Sequence, residues 1–167
     1  TALVAALAGT ASAADKKTAA AATPKAPSDA QLMESAMRAA PTKVAEGATI
    51  AAMDAAGGMR TLRKGTNGFT CMPDNPGTPG PDPMCMDASA MQWAGAWMGH
   101  KTPASGKVGL MYLLSGGTDA RTTAPYATKP PGKTHWVQTG AHVMGVGAEA
   151  AVAARYPQSA EPGPPLR

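Results

Sequence analysis

The stretch 69-FTCMPDNPGTPGPDPMCMD-87 places the chain's two cysteines, Cys71 and Cys85, at the ends of a segment rich in proline and glycine. Five prolines lie between the cysteines. Because proline lacks a backbone N–H and fixes φ, this segment is predicted to form neither a helix nor a central strand. A disulfide that closes a loop of about 15 residues stabilises a fold by roughly 3 kcal/mol in the chain-entropy model. We therefore predict a Cys71–Cys85 disulfide that holds the loop.

Soft metal ligands are concentrated in the same stretch and just after it. The candidate ligands are Met72, Met84, Met86, Met91, Met98 and His100. Thioether and imidazole groups suit Cu(I), but the spacing has no regular repeat and a disulfide would remove both thiolates from coordination. Methionine also fills irregular gaps in cores, and the chain has eleven Met but one Phe. We favour methionine as core filler, keep a Cu(I) site as the alternative and predict no other cofactor.

Other chemistry is weakly encoded. Asp74, Asp82 and Asp87 offer hard oxygen ligands, but no calcium-loop motif orders them. The sequence contains neither a nucleophile-elbow nor a phosphate-loop pattern. No catalytic residue is predicted, and an enzyme is the least favoured class.

A helix is predicted over residues 88–100, with Asp87 as its N-cap. Its apolar side chains form two neighbouring stripes, so the predicted buried arc is wide. The stripes comprise Met91, Ala94 and Met98, and beside them Trp93, Trp97 and His100. We expect this helix to be the main buried element of the core, with the proline-rich loop packed beside its tryptophans.

Shorter elements are predicted before the loop. A helix over 28–40 begins with a capping box formed by Ser28 and Gln31. Residues 44–52 and 59–65 are then predicted to pair as a hairpin, because a turn-forming Ala-Ala-Gly-Gly segment separates them.

The sequence after the dominant helix predicts further strands. Residues 107–117 are apolar on both alternating faces, as in a central strand, and 118–133 form a polar, proline-containing loop. Two strands are predicted at 134–138 and 141–147, followed by a short helix at 148–155. Together these elements predict an α+β fold with a small, mainly antiparallel sheet and one dominant helix.

The histidines give a second set of candidates. His135 and His142 are predicted to face each other across the last hairpin, and together with Trp93 and Trp97 they are the candidate ligand-binding residues. Histidines so far apart in sequence form a metal or acid–base site only where folding brings them together.

The N-terminal residues indicate export. Residues 1–13 join a short apolar stretch to Ala11-Ser12-Ala13, the small-x-small pattern that precedes signal-peptidase cleavage. We interpret them as the remnant of an export signal. Exported chains enter oxidising compartments, where paired cysteines form disulfides. A periplasmic or secreted location is therefore predicted.

The remaining organisation is simple. Residues 14–27 are predicted to be a disordered linker, 28–156 a single α+β domain and 157–167 a disordered tail. No stretch reaches the roughly 20 apolar residues that span a bilayer, so no transmembrane segment is predicted. The net charge of +4 comes from scattered residues, and without a basic patch interleaved with aromatics we predict no nucleic-acid binding.

Several stretches carry a family resemblance. They are "GTNGFTCMPDNPGTPGPDPMCMD", "MQWAGAWM", "GLMYLLSGG", "APYA" and "HVM". Over roughly residues 45–146 the chain resembles a family of small exported bacterial proteins with no assigned activity. The resemblance implies secretion and a single domain, and it carries over no functional residue.

Two functions follow as expectations. The first is an exported, non-enzymatic binding or interaction module whose partner is an unknown protein or small ligand. The alternative is a periplasmic Cu(I)-binding protein that uses the Met, Cys and His cluster.

Overall fold

The computed structural model describes residues 26–120, 126–130, 132 and 135–147. The predicted export signal, helix 148–155 and tail 157–167 lie outside the described residues, as does all but the end of the predicted linker. The helices of the described part are α1 (Asp29–Met37), α2 (Thr42–Gly47) and α3 (Ala88–Met98), and its strands are β1 (Thr49–Met53), β2 (Met59–Arg63), β3 (Thr70–Met72), β4 (Met84–Met86), β5 (Gly109–Leu113), β6 (Gly117–Asp119), β7 (Val137–Thr139) and β8 (His142–Val146). None of these helices is long and apolar enough to cross a membrane.

Six strands form the main sheet, in the order β2-β1-β3-β4-β5-β8. Its neighbours pair antiparallel except β1 and β3, which are parallel. β6 and β7 form a separate antiparallel pair. The predicted α+β class with a mainly antiparallel sheet is confirmed.

The first elements follow local rules. Ser28 and Gln31 form the predicted capping box: the Ser28 N–H donates to Gln31 Oε1 at 2.9 Å, and Ser28 Oγ accepts from the Gln31 N–H at 3.4 Å. The prediction that Val44 belongs to a strand is wrong. Pro41 starts a second helix instead, and its carbonyl accepts from the N–H groups of Val44 and Ala45.

The predicted hairpin is present from Thr49 onward. β1 and β2 pair in antiparallel register, and Met53 lies opposite Met59 at the turn. The carboxylate of Asp54 closes this turn, because it accepts from the N–H groups of Ala56 and Gly58 at 2.9 and 2.8 Å.

The disulfide is present and joins two central strands. Cys71 in β3 lies directly opposite Cys85 in β4, and the sulfur atoms are bonded at 2.03 Å. The prediction that everything between the cysteines is loop is therefore wrong at its ends, where Met72 and Met84 still pair. Prolines begin only beyond these residues, so the loop proper is 73–83.

The cysteines define one face of the sheet, because alternate residues of a strand point to opposite faces. Strand register adds Ile50 and Tyr112 to the side of Cys71 and Cys85. We call this the disulfide face. The opposite side is the methionine face, and it carries Met72, Met84, Met86, Met111 and Met144.

Small residues pack the disulfide face. Its buried cluster consists of Ala36, Ala39, Ala40, Ala48, Ile50, Cys71 and Cys85. The alanines of α1 and the turn after it bring the backbone close to the sheet, and the rings of Phe69 and Tyr112 complete this side, with centroids 5.9 Å apart.

Helix α3 covers part of the methionine face. Ala90 is buried there together with Met86, Met111, Leu113 and Val146. The approach is close, because a Cβ at Gly109 would lie 2.2 Å from the Ala90 backbone nitrogen. Glycine at this position therefore allows the helix to dock on β5.

The expectation that α3 is the main buried element is wrong. Ala90 is its one buried residue, and Met98 is 57% exposed. The strands supply most of the buried residues instead, and α1, like α3, contributes one.

The last strands pair differently from the prediction. β6 takes the last residue of the predicted strand 107–117 and the first two of the predicted loop 118–133, and it pairs with β7, whereas β8 pairs with β5. The predicted hairpin of 134–138 with 141–147 is therefore wrong. The chain passes from the small sheet to the edge of the main sheet between Thr139 and His142.

Candidate functional site

The proline-rich loop 73–83 is organised around a buried carboxylate. Asp82 is 8% exposed. Its side chain accepts from the Asn75 N–H at 2.8 Å and from the Thr78 hydroxyl at 2.9 Å, while its own N–H donates to Asp74 Oδ1 at 2.7 Å. These hydrogen bonds hold the loop in place of the strand-to-strand backbone hydrogen bonds that its prolines cannot donate.

Burial raises the pKa of Asp82 above its ordinary value of 3.8, and the neighbouring Asp74 adds to the rise, while the hydrogen bonds from Asn75 and Thr78 oppose it. Because the oxygens of Asp82 are already bonded within the loop, the structure gives this carboxylate a structural role.

The loop does not pack beside the tryptophans, so that expectation is wrong. On one side the Asp74 N–H donates to Ser35 Oγ of α1 at 3.0 Å. On the other, the Thr118 hydroxyl of β6 donates to the Pro81 carbonyl at 3.4 Å. The loop thus lies between α1 and the small sheet, away from α3.

Four near-parallel rings line the outer half of α3. Trp93 and Trp97 have ring centroids 6.3 Å apart and planes 11° apart. Tyr126 lies 5.6 Å from Trp97 at 27°, and His100 lies 4.0 Å from Tyr126 at 18°. We call Trp93, Trp97, His100 and Tyr126 the aromatic row. Tyr126 is 48% exposed and His100 is exposed, whereas Trp93 and Trp97 are half-buried and Trp93 also packs against the buried cluster around Met86.

Two hydrogen bonds fix the start of α3. Asp87 caps the helix by accepting from the Ala90 N–H at 2.7 Å, and its other oxygen accepts from the Leu110 N–H of β5 at 3.0 Å. The Asp87 carboxylate therefore holds the start of α3 against β5. This anchoring fixes where the aromatic row projects.

The end of α3 has an unusual residue. The Lys101 N–H donates to the Ala96 carbonyl and the His100 N–H to the Trp97 carbonyl, which is the Schellman arrangement. His100 occupies its left-handed position with φ 53°, where glycine is usual. A side chain in this conformation costs about 1 kcal/mol. It also directs the imidazole onto Tyr126.

A shallow cleft adjoins the first ring of the row. It is lined by Ser89, Gln92, Trp93, Pro103, Ala104 and Lys107 and has a volume of about 10 Å³, room for about one water molecule. The Lys107 ammonium donates to Gln92 Oε1 at 3.3 Å. A hydroxyl, an amide and an ammonium thus lie next to an indole on an open surface.

The predicted ligand set of two tryptophans and two histidines is not brought together. Trp93 lies against Gly147, just after β8 ends, whereas His142 begins that strand, roughly 16 Å of chain away. His142 lies against Gly117 of β6, where an added Cβ would be 3.2 Å from its Cε1. His135 is exposed ahead of β7.

The predicted metal ligands divide into two groups. Met72, Met84 and Met91 pack around the buried Met86 on the methionine face. Met98 and His100 lie at the exposed outer end of α3 and do not join them. Among the described residues no three His, Cys, Asp or Glu side chains are placed to hold a metal ion.

The sequence did not indicate Tyr126 as a site residue. It is an isolated aromatic in a polar segment, and helical periodicity cannot connect it with α3. An aromatic flanked by small residues in a loop was its one available signal.

No protein-family model, curated protein or solved structure matches this chain. The resemblance of the Cys71–Cys85 stretch to small exported bacterial proteins therefore stays a prediction. Function has to be argued from the residues themselves.

Proposed function

We propose that this chain is an exported, non-enzymatic binding module that takes saccharide chains on the outer surface of α3. The aromatic row carries the proposal. A pyranose ring offers a face of C–H groups, which packs on aromatic faces, and a rim of hydroxyls, which hydrogen-bonds to polar side chains. Trp93 supplies an aromatic face, and the polar groups of the adjoining cleft supply hydrogen-bonding partners for the hydroxyls.

Ring spacing supports a platform. Carbon atoms in direct face contact lie about 3.5–4 Å apart, whereas the ring centroids of Trp93 and Trp97 lie 6.3 Å apart. Part of each ring surface is therefore left uncovered. A row of such surfaces suits an extended chain of rings better than one compact molecule.

The shape of the surface favours binding over catalysis. Sites that enclose a small molecule have volumes of about 300–1,000 Å³, and the cleft beside Trp93 is far smaller. The buried carboxylate of Asp82 is engaged within its own loop. The disulfide supports export, because such bonds persist in oxidising compartments.

Titration with chitotetraose, cellotetraose and maltotetraose tests the proposal. Tryptophan fluorescence and amide shifts of α3 should respond to at least one of them, and Trp97→Ala should weaken that binding by about tenfold or more, which corresponds to about 1.4 kcal/mol. Trp136→Phe, outside the row, is the matched control and should bind normally. No response to any of the three up to about 10 mM, or equal binding by Trp97→Ala, would overturn the proposal.

Copper(I) handling is the second candidate, and strand register favours it. Met86, Met111 and Met144 lie directly opposite one another on β4, β5 and β8, and Met144 is 38% exposed. A row of three thioethers, of which Met144 is accessible at the sheet edge, suits Cu(I).

Competition with bicinchoninate for Cu(I) tests this candidate. Met144→Leu should lower the affinity, whereas Met98→Leu, at the outer end of α3, should not. Identical titration curves for wild type and Met144→Leu would exclude this site.

A further inference from the structure

We infer that Tyr126 fills, in the free protein, a ring-binding subsite between Trp97 and His100, and that a bound saccharide ring takes its place. This inference rests on the proposed saccharide function and adds to it the regulation of one subsite. Tyr126 is thereby an intramolecular competitor of the ligand.

The subsite between Trp97 and His100, which we call the slot, has a geometry that supports this inference. The ring of Tyr126 is near-parallel to both neighbours, at 18° to His100 and 27° to Trp97. Its centroid lies 4.0 Å from that of His100 and 5.6 Å from that of Trp97, and 48% of the residue is exposed. The slot is open to solvent along one side, so another flat ring can enter where the phenol now lies.

The backbone of His100 is the second, independent observation. Among the described residues it is the one non-glycine with positive φ. Glycine would satisfy the same helix-ending hydrogen bonds without a side-chain penalty. Strained residues of this kind cluster at ligand clamps. The left-handed backbone of His100 directs its imidazole onto Tyr126, and this imidazole forms one wall of the slot.

The residues that form the walls of the slot and the residue that fills it belong to different parts of the chain. Trp97 and His100 are fixed by α3, whose start is held on β5 through Asp87. Tyr126 comes from the chain between β6 and β7 and is 48% exposed. The phenol can therefore leave while both walls stay in place.

Competition of this kind has a measurable consequence. The apparent dissociation constant equals the intrinsic one divided by the fraction of molecules whose slot is empty, so removal of the occupant tightens binding. Tyr126→Ala should therefore bind the saccharide at least about threefold more tightly than wild type. Trp97→Ala, which removes a wall, should weaken binding.

A ring probe tests the slot without a saccharide. p-Cresol, the free form of the tyrosine side chain, should bind Tyr126→Ala and shift the ring resonances of Trp97 and His100 in NMR spectra, and it should not do so in wild type. Tyr126→Ala with His100→Gly should lose p-cresol binding while its melting temperature is equal or higher, since glycine relieves the backbone strain.

The outcomes separate the two proposals. If a saccharide binds wild type and Tyr126→Ala equally, or binds Tyr126→Ala more weakly, the inference is wrong and the saccharide function stands. Equal p-cresol binding by wild type and Tyr126→Ala also overturns the inference. If p-cresol fills the slot of Tyr126→Ala but none of the saccharides binds any variant, the saccharide function fails and Tyr126 has no such ligand to compete with.

Discussion

The two faces of the central sheet are packed by opposite means. Alanines and a covalent bond fill the disulfide face, where Ile50 is the largest buried side chain. Long thioether side chains fill the methionine face, with Met86 and Met111 nearly inaccessible. A chain with one Phe thus builds one layer by close backbone approach and the other by adaptable side chains.

The two layers should be sensitive to different substitutions. Small side chains and a disulfide leave no freedom to rearrange, so the disulfide face should respond to loss of its covalent bond. Methionine has three rotatable side-chain bonds and tolerates replacement by residues of similar volume. The methionine face should therefore respond to lost volume more than to changed shape.

Breaking the disulfide face should have the largest effect. Cys71→Ala with Cys85→Ala should lower the free energy of unfolding by roughly 4 kcal/mol, because loop-closure entropy and buried sulfur contacts are lost together. Urea denaturation followed by circular dichroism measures the change. A loss below about 1 kcal/mol would show that the alanine packing holds this face without the bond.

Loss of volume on the methionine face should come next. Met86→Ala should cost roughly 3 kcal/mol through the cavity that it leaves. Met86→Leu keeps most of the volume and should cost under about 1.5 kcal/mol. If both variants lose the same stability in thermal melts, the methionine layer is as demanding in shape as the disulfide face.

The contact between α3 and the methionine face can be tested at Gly109. Gly109→Ala should cost roughly 2 kcal/mol, because the new Cβ meets the backbone of Ala90. Gly145→Ala is the matched control on the neighbouring strand, since a Cβ there meets nothing within 4 Å. Equal stability of the two variants in denaturant titrations would mean that the helix does not dock as closely as described.

The pH dependence of the loop beside both faces should be the smallest effect. The raised pKa of Asp82 means that the folded state binds the proton more tightly, so its contribution is fully present below its ordinary pKa of 3.8 and is lost as pH rises through the folded pKa. The free energy of unfolding of wild type minus that of Asp82→Asn should therefore increase as pH falls from about 7 to about 4.

Asp29 supplies a control of opposite sign. A hydrogen bond from Arg60 lowers the pKa of Asp29, so its contribution is present above 3.8 and lost as pH falls through the folded pKa. Wild type minus Asp29→Asn should stay nearly level down to about pH 4 and should decrease as pH falls further. A difference for Asp82→Asn that decreases too would contradict the described burial.

Local signals explain what the sequence could predict. The capping box at Ser28, the N-cap at Asp87 and the hairpin turn at Asp54 each depend on residues close in sequence, and all three are present. The disulfide was predictable because its loop has few other means of being held. These features needed no knowledge of the distant chain.

Tertiary placement explains what the sequence could not predict. Pro41 lies between two helices, and whether the residues after it form a helix or a strand depends on tertiary contacts with the next strand. β8 pairs with β5 rather than β7, a choice between partners that have similar patterns. Tyr126 meets Trp97 and His100 only through the path of the chain between β6 and β7.

Both cysteines are completely buried beneath α1, so their disulfide is protected from reductants in the folded protein. A thiol reductant reaches the sulfur atoms only in molecules where that helix has lifted or the chain has unfolded. The rate of reduction under native conditions therefore reports how often this layer opens. By the same logic, an oxidoreductase that installs the bond must act on the nascent chain before the alanines close over it.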